Sequence, residues 1–87
     1  MMQLFCIRDV KATFQTPFVG INKNVVQRNI MNILKKNDQN DALTINPEDY
    51  QLFKVGEFDE ETGKIVNADS EFICNVSDLA EISKAEH

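Results

Sequence analysis

Tryptophan is absent from this sequence, and histidine occurs once, at the last position, His87. A terminal imidazole cannot be held beside a nucleophile, so neither Cys6 nor Cys74 has a base to activate it. Structural zinc needs about four clustered Cys or His ligands, and these three residues are scattered along the chain. Glycine is equally sparse. Gly20, Gly56 and Gly63 stand too far apart to form a phosphate-cradling loop. No apolar run approaches the roughly 18 residues of a membrane span. The opening MMQLFCIRD lacks a basic head followed by an apolar stretch, so it reads as no signal peptide. These absences argue against an enzyme, call for no cofactor and no metal, and place the chain away from membranes. They also make Cys6 and Cys74 reduced, buried small hydrophobes rather than a disulfide.

What is present suits one domain spanning residues 1–87. A domain of this size buries only about 60% of its unfolded surface, so its core is thin. Net charge is −5, but the charges are unevenly divided. Residues 1–37 carry Arg8, Lys11, Lys23, Arg28, Lys35 and Lys36 against Asp9 alone. Residues 38–87 carry Lys54, Lys64 and Lys84 against thirteen acids. That division gives a basic region and an acidic one, unless folding interleaves them.

The hydrophobic pattern predicts an α+β fold, a small antiparallel or mixed sheet of about four strands. It adds one main helix over about 23–37 and a short C-terminal helix. MMQLFCIRD is apolar on both faces and reads as a central strand. Pro17 and Gly20 make the next stretch a loop or irregular edge. In the helix, Val26, Ile30, Ile33 and Leu34 form one stripe, with Asn22 or Asn24 as cap. NDQND ends it, and INPEDY turns into the next strand. YQLFKVGEF alternates, with Tyr50, Leu52 and Phe58 on one side and Phe53 and Val55 on the other. Gly56 in mid-strand signals a bulge or a close backbone approach. DEETG then fits a hairpin turn closed by a left-handed glycine. Lys64–Val66 starts the return strand, EFICNV forms another, and Ser77 caps the last helix.

Two charged groups are candidates for contact. Glu57, Asp59, Glu60 and Glu61 cluster at the hairpin, where solvation leaves them without the burial that acid–base work needs. Their spacing also misses a calcium loop: counted from Asp59, the sixth place is Lys64, not glycine. They remain a candidate surface for a basic protein partner. Arg8, Lys11, Lys23, Arg28, Lys35 and Lys36 interleave with Phe14 and Phe18, as a single-strand binding surface would. A sequence pI near 4.7 counts against that reading.

The stretches LFCIRD, TPFVG and INPEDYQLFKVGEFDEETGKI resemble the small nonstructural protein of the gokushovirus branch of Microviridae, phages with circular single-stranded DNA. The shared elements fall on Leu4–Asp9, Pro17–Phe18, Pro47–Tyr50, Gly56–Asp59 and Thr62–Ile65, and the pattern weakens from Asn67 onward. The resemblance implies a nonstructural role in viral genome replication in the host cytoplasm, through binding of single-stranded DNA or the switch from double-stranded to single-stranded product. It supplies no catalytic residue.

Two functional expectations follow. One is a non-enzymatic phage protein contacting single-stranded DNA through Arg8, Lys11, Lys23, Arg28, Lys35 and Lys36. The alternative is a protein–protein regulator whose Glu57, Asp59, Glu60 and Glu61 dock on a basic replication or capsid protein. A homodimer is also expected. One long helix covers one face of the sheet, and the other face would expose some mixture of Leu4, Cys6, Phe53, Val55, Phe72 and Ile73 unless the C-terminal helix covers it.

Overall fold

A computed structural model describes residues 1–85, without the side chains of residues 67 and 68. Four strands form one antiparallel sheet: β1 (Met2–Asp9), β2 (Phe18–Gly20), β3 (Tyr50–Asp59) and β4 (Lys64–Asn75). Their order is β2-β1-β3-β4, so the first strand is central, as its two apolar faces predict. The Pro17–Gly20 stretch does reach the sheet, as a three-residue edge strand. The helices are α1 (Lys23–Lys35), α2 (Ala42–Ile45) and α3 (Val76–Ala85), and a single 3-10 turn spans Pro47–Asp49.

The core lies between the sheet and the α1–α3 pair. Phe5, Ile7 and Leu52 rise from β1 and β3 to meet Val26, Ile30, Met31 and Leu34 of α1 and Val76 and Leu79 of α3. Phe5, Leu52 and Val76 are fully buried, and each such side chain contributes about 1.5–3 kcal/mol. The predicted helix stripe needs one correction. Met31 is buried and Ile33 is 39% exposed, because α1 packs on α3 beside it as well as on the sheet below. Asn22 is the cap: its side-chain oxygen accepts from the Val25 amide at 2.9 Å. Asn37, at φ 52°, turns the chain out of the helix.

Other boundaries also move. The NDQND segment does more than stop α1, since Asp41 caps α2 by accepting from the Leu43 amide at 3.1 Å. The two strands expected after the hairpin are a single strand, β4, irregular where it passes Val55 and Gly56 of β3. Helix α3 leaves β4 directly at Val76, so Ser77 lies inside its first turn rather than at the cap. Asn75, just before it, has its side-chain oxygen occupied by the Gln51 amide at 3.1 Å.

Val55 is the extra residue of a bulge: Phe5 pairs with Lys54, while its neighbour Leu4 pairs with Gly56. The bulge shifts the phase of β3. Phe58 therefore pairs with Met2 and lies on the face away from the helices, opposite to Tyr50 and Leu52 and not beside them. Gly56 permits the distortion, since a Cβ there would stand 2.9 Å from the Val66 carbonyl oxygen. Gly63 serves differently. Its surroundings are open, but its φ is +74°. Chemical denaturation separates the two roles. Gly56→Ala is expected to lose about 1–3 kcal/mol through backbone overpacking, and Gly63→Ala about 1–2 kcal/mol through its left-handed conformation alone.

Candidate nucleic-acid interface

Both long helices pack on one face of the sheet, so α3 leaves the other face open. Alternation along β1 and pairing across β3 assign the positions on that open face. They are Met2, Leu4, Cys6 and Arg8 on β1, and Gln51, Phe53, Gly56 and Phe58 on β3. Phe72 joins them from β4, opposite Phe53. Ile73 does not; it packs against the helix-side core.

Three phenyl rings cross this face in a row. Phe14, from the loop after β1, meets Phe53 edge to face at 5.2 Å between centroids. Phe53 meets Phe72 in the same way at 5.6 Å. Phe14 is 41% exposed and Phe72 is 49% exposed, so the outer two rings of the row keep much of their surface in solvent. The loop reaches this position because Phe14 bridges to Arg8 and the Gln15 amide donates to the Ile7 carbonyl at 2.8 Å. The Arg8 guanidinium stands 5.7 Å over the Phe14 ring, a cation–π contact. Arg8 is the one charged residue among the outward positions of β1 and β3. The row joins residues far apart in sequence; Lys54, next to Phe53, pairs with Phe5 on the helix side, and Phe72 has no cation beside it in sequence. The chain itself signalled Arg8 and Phe14 by their interleaving and set Phe53 and Phe72 on the uncovered face; what it did not signal is that the three rings form one row.

The remaining predicted cations lie elsewhere. Lys11, in the turn after β1, pairs with Asp49 at 3.5 Å. Lys23 opens α1 and lines a shallow depression with Gln3, Asn24, Lys54 and Glu71. Arg28, Lys35 and Lys36 are exposed on α1 or at its C-terminal cap, in the helical layer on the other side of the sheet from Arg8. Lys35 lines a cleft between α1 and α3 that Lys84 also borders. The six cations thus do not form one patch.

The acidic hairpin also divides. Glu57 faces the helix side and meets Lys54 at 3.5 Å. Asp59 is consumed by the turn: its carboxylate accepts from the Glu61 amide at 3.0 Å, and the Gly63 amide donates to its carbonyl at 2.7 Å. The Glu61 amide, with help from the Thr62 hydroxyl, holds the Asp59 carboxyl below its ordinary range. Glu60 lies 3.8 Å from the N-terminal ammonium, and Glu60 and Glu61 are exposed at the tip. Among the described residues no three Asp, Glu, His or Cys side chains are placed to hold a metal ion. His87 lies outside the described residues.

Both cysteines are free thiols, Cys6 buried and Cys74 half-buried. They sit on β1 and β4 with β3 between them, a separation of about 10 Å at ordinary strand spacing and beyond disulfide reach. Burial raises both thiols, and burial with the nearby Asp78 carboxylate pushes Cys74 up to about 11.

A four-stranded antiparallel sheet with its helices on one face is an α+β fold. The chain belongs to the Phage ORF5 protein family, whose model matches residues 2–79. The match runs well past Ile65, where the motif resemblance fades. No curated protein and no solved structure matches the chain. No described helix is long and apolar enough to cross a membrane.

The thiols provide a direct check on this packing. At pH 8, Cys74 is expected to react with a disulfide reagent far more slowly in the folded protein than in urea, because the thiolate is the reactive form. The same raised value means that folding gains stability from the neutral thiol below about pH 9. That gain is lost as pH rises from there through about 11, since the unfolded chain releases the proton first.

Proposed function

We propose that this phage protein is a non-enzymatic, nonstructural accessory of genome replication that binds single-stranded DNA across the open sheet face, in the host cytoplasm. The observation that carries this reading is the Phe14–Phe53–Phe72 row with Arg8 at one end. Unpaired bases stack on exposed aromatic rings whatever their sequence, and a guanidinium beside the rings meets the phosphate that follows. Duplex bases are already stacked on each other and present no faces to such a row. Single strands are therefore preferred. The similarity to gokushovirus proteins agrees with a phage that carries its genome as single-stranded DNA.

The face also selects against self-pairing. Face-to-face dimerisation would bury Arg8 against a surface whose β1 and β3 positions offer no carboxylate, and an unpaired buried charge is costly. A polyanion with stackable bases satisfies both the rings and the cation. The cations of α1 lie on the opposite layer and add general attraction rather than contact.

Titration of a labelled, mixed-sequence single strand at low and moderate salt tests the reading. Phe14→Ala and Phe72→Ala are each expected to weaken binding by about 5–150-fold, the range for losing one stacked base. Arg8→Glu is expected to weaken it and flatten its salt dependence, whereas Arg28→Glu changes it little. Absence of binding at low salt, or Phe14→Ala and Phe72→Ala proteins that bind like the wild type, removes the proposal.

A further inference from the structure

A second apolar surface lies away from the phenyl row. A groove of about 330 Å³ runs between the β2 edge and α1, lined chiefly by Phe18, Val19, Val26, Ile30, Ile33 and Leu43. Val19 is 50% exposed, and Ile33 is the stripe residue that the core leaves out. No charged side chain lines the groove, and the charges of α1 beside it are all positive. From Lys23 to Lys36 the helix has no Asp or Glu. Lys36 falls on the same helical stripe as the groove residues Asn29 and Ile33, at the i, i+4, i+7 spacing.

The complement of this groove is found on the same chain. The β3–β4 hairpin extends past the helices, and none of residues 58–66 joins the core cluster. Ile65 is 64% exposed and Val66 is 44% exposed, on opposite faces of the ribbon by alternation. Beside them stand Glu60 and Glu61, exposed at the tip. The ribbon thus has apolar side chains with Glu60 and Glu61 at its end, and the groove is apolar with Lys36 in line with it at the end of α1. No hairpin residue lines the groove within one molecule.

We infer that the hairpin of one molecule docks in the β2–α1 groove of a second copy, with Ile65 against Ile33 and the Glu60–Glu61 tip toward Lys36. The two surfaces differ, so the contact is head-to-tail. Each added molecule presents a fresh groove and a fresh ribbon, and the assembly grows with concentration unless it closes into a ring. Charge complementarity selects this occupant. The chain's cations are concentrated before residue 38 and its acids after it, and a head-to-tail contact sets one region against the other. This inference is independent of DNA binding, and its test contains no DNA.

The test uses two variants at exposed positions, Ile33→Asp in the groove and Ile65→Asp on the ribbon, with circular dichroism confirming that each folds. Wild-type protein is expected to show a mass that rises with concentration beyond a dimer in sedimentation velocity. Each variant alone is expected to sediment as a monomer. Mixed in equal amounts they should form a 1:1 dimer and nothing larger, because only one intact groove and one intact ribbon can meet. A wild type that stays monomeric at high micromolar concentration overturns the inference. So does association that survives both substitutions, which would move the contact to another surface such as the phenyl row. Two monomeric variants that fail to pair on mixing also overturn it, since a head-to-tail contact must be restored by complementation.

Discussion

The structure depends on the contact of Phe5 and Leu52 with Val26 and Val76, where one sheet face meets two helices. Phe5, Leu52 and Val76 have no exposed surface, and Val26 almost none. A second layer on the far face would need another amphipathic helix, and α3 is used beside α1 instead. The open face follows from the placing of α1 and α3 on the same side. Cys6 is buried on this face although it lies outside the helix-side core, while Phe14 and Phe72 stay partly in water.

The bulge at Val55 shapes the other half of the molecule. Had every residue of β3 paired in turn with β1, Phe58 would lie on the same face as Leu52, toward the helices. The phase shift places it with Met2 on the open face. Beyond this point β3 and β4 continue as a two-stranded ribbon. Isolated ribbons are marginal in water, and this one is held at its tip by local bonds. Asp59 and Thr62 satisfy the turn amides of Glu61 and Lys64, and Gly63 supplies the left-handed step. The acids at the tip therefore have two roles: Asp59 holds the turn, while Glu60 and Glu61 face solvent.

Several elements were legible in the residues because each rests on a local rule. The central strand, the main helix with its Asn22 cap, the glycine turn and the mid-strand irregularity at Gly56 all have signals within a few positions. Ile33 and Met31 were exchanged because the helical stripe was read against one neighbour, and α1 has two. Phe58 was placed on the wrong face because alternation was carried through a bulge whose effect on phase is not written in the residues themselves. α2 was missed because four residues give no periodicity, although Asp41 marks its start. The candidate site was the least legible part. Phe14, Phe53 and Phe72 lie on a loop and two strands, and only the β1-β3-β4 order brings them into one row. The six cations were grouped by sequence, whereas the sheet separates Arg8 from those of α1.

Net charge is a poor guide to such a face, and the strand register shows why. Arg8 pairs with Gln51, and the hairpin begins eight residues further along β3, at Asp59. At about 3.3 Å per residue that is roughly 26 Å. The screening length at physiological salt is about 8 Å, so the hairpin carboxylates lie some three screening lengths from the Arg8 end of the row. The two acids nearest to Arg8 in this part of the chain, Asp9 and Asp49, are engaged. The Asp9 carboxylate accepts from the Lys11 amide at 2.9 Å, and Asp49 pairs with the Lys11 ammonium at 3.5 Å. A phosphate approaching Phe14 meets the field of Arg8 first. The overall −5 governs how the molecule behaves at long range and low salt, while attraction at the row is set by groups within one screening length. An acidic chain can therefore carry a surface suited to a polyanion where a cation stands closer to that surface than the hairpin acids do.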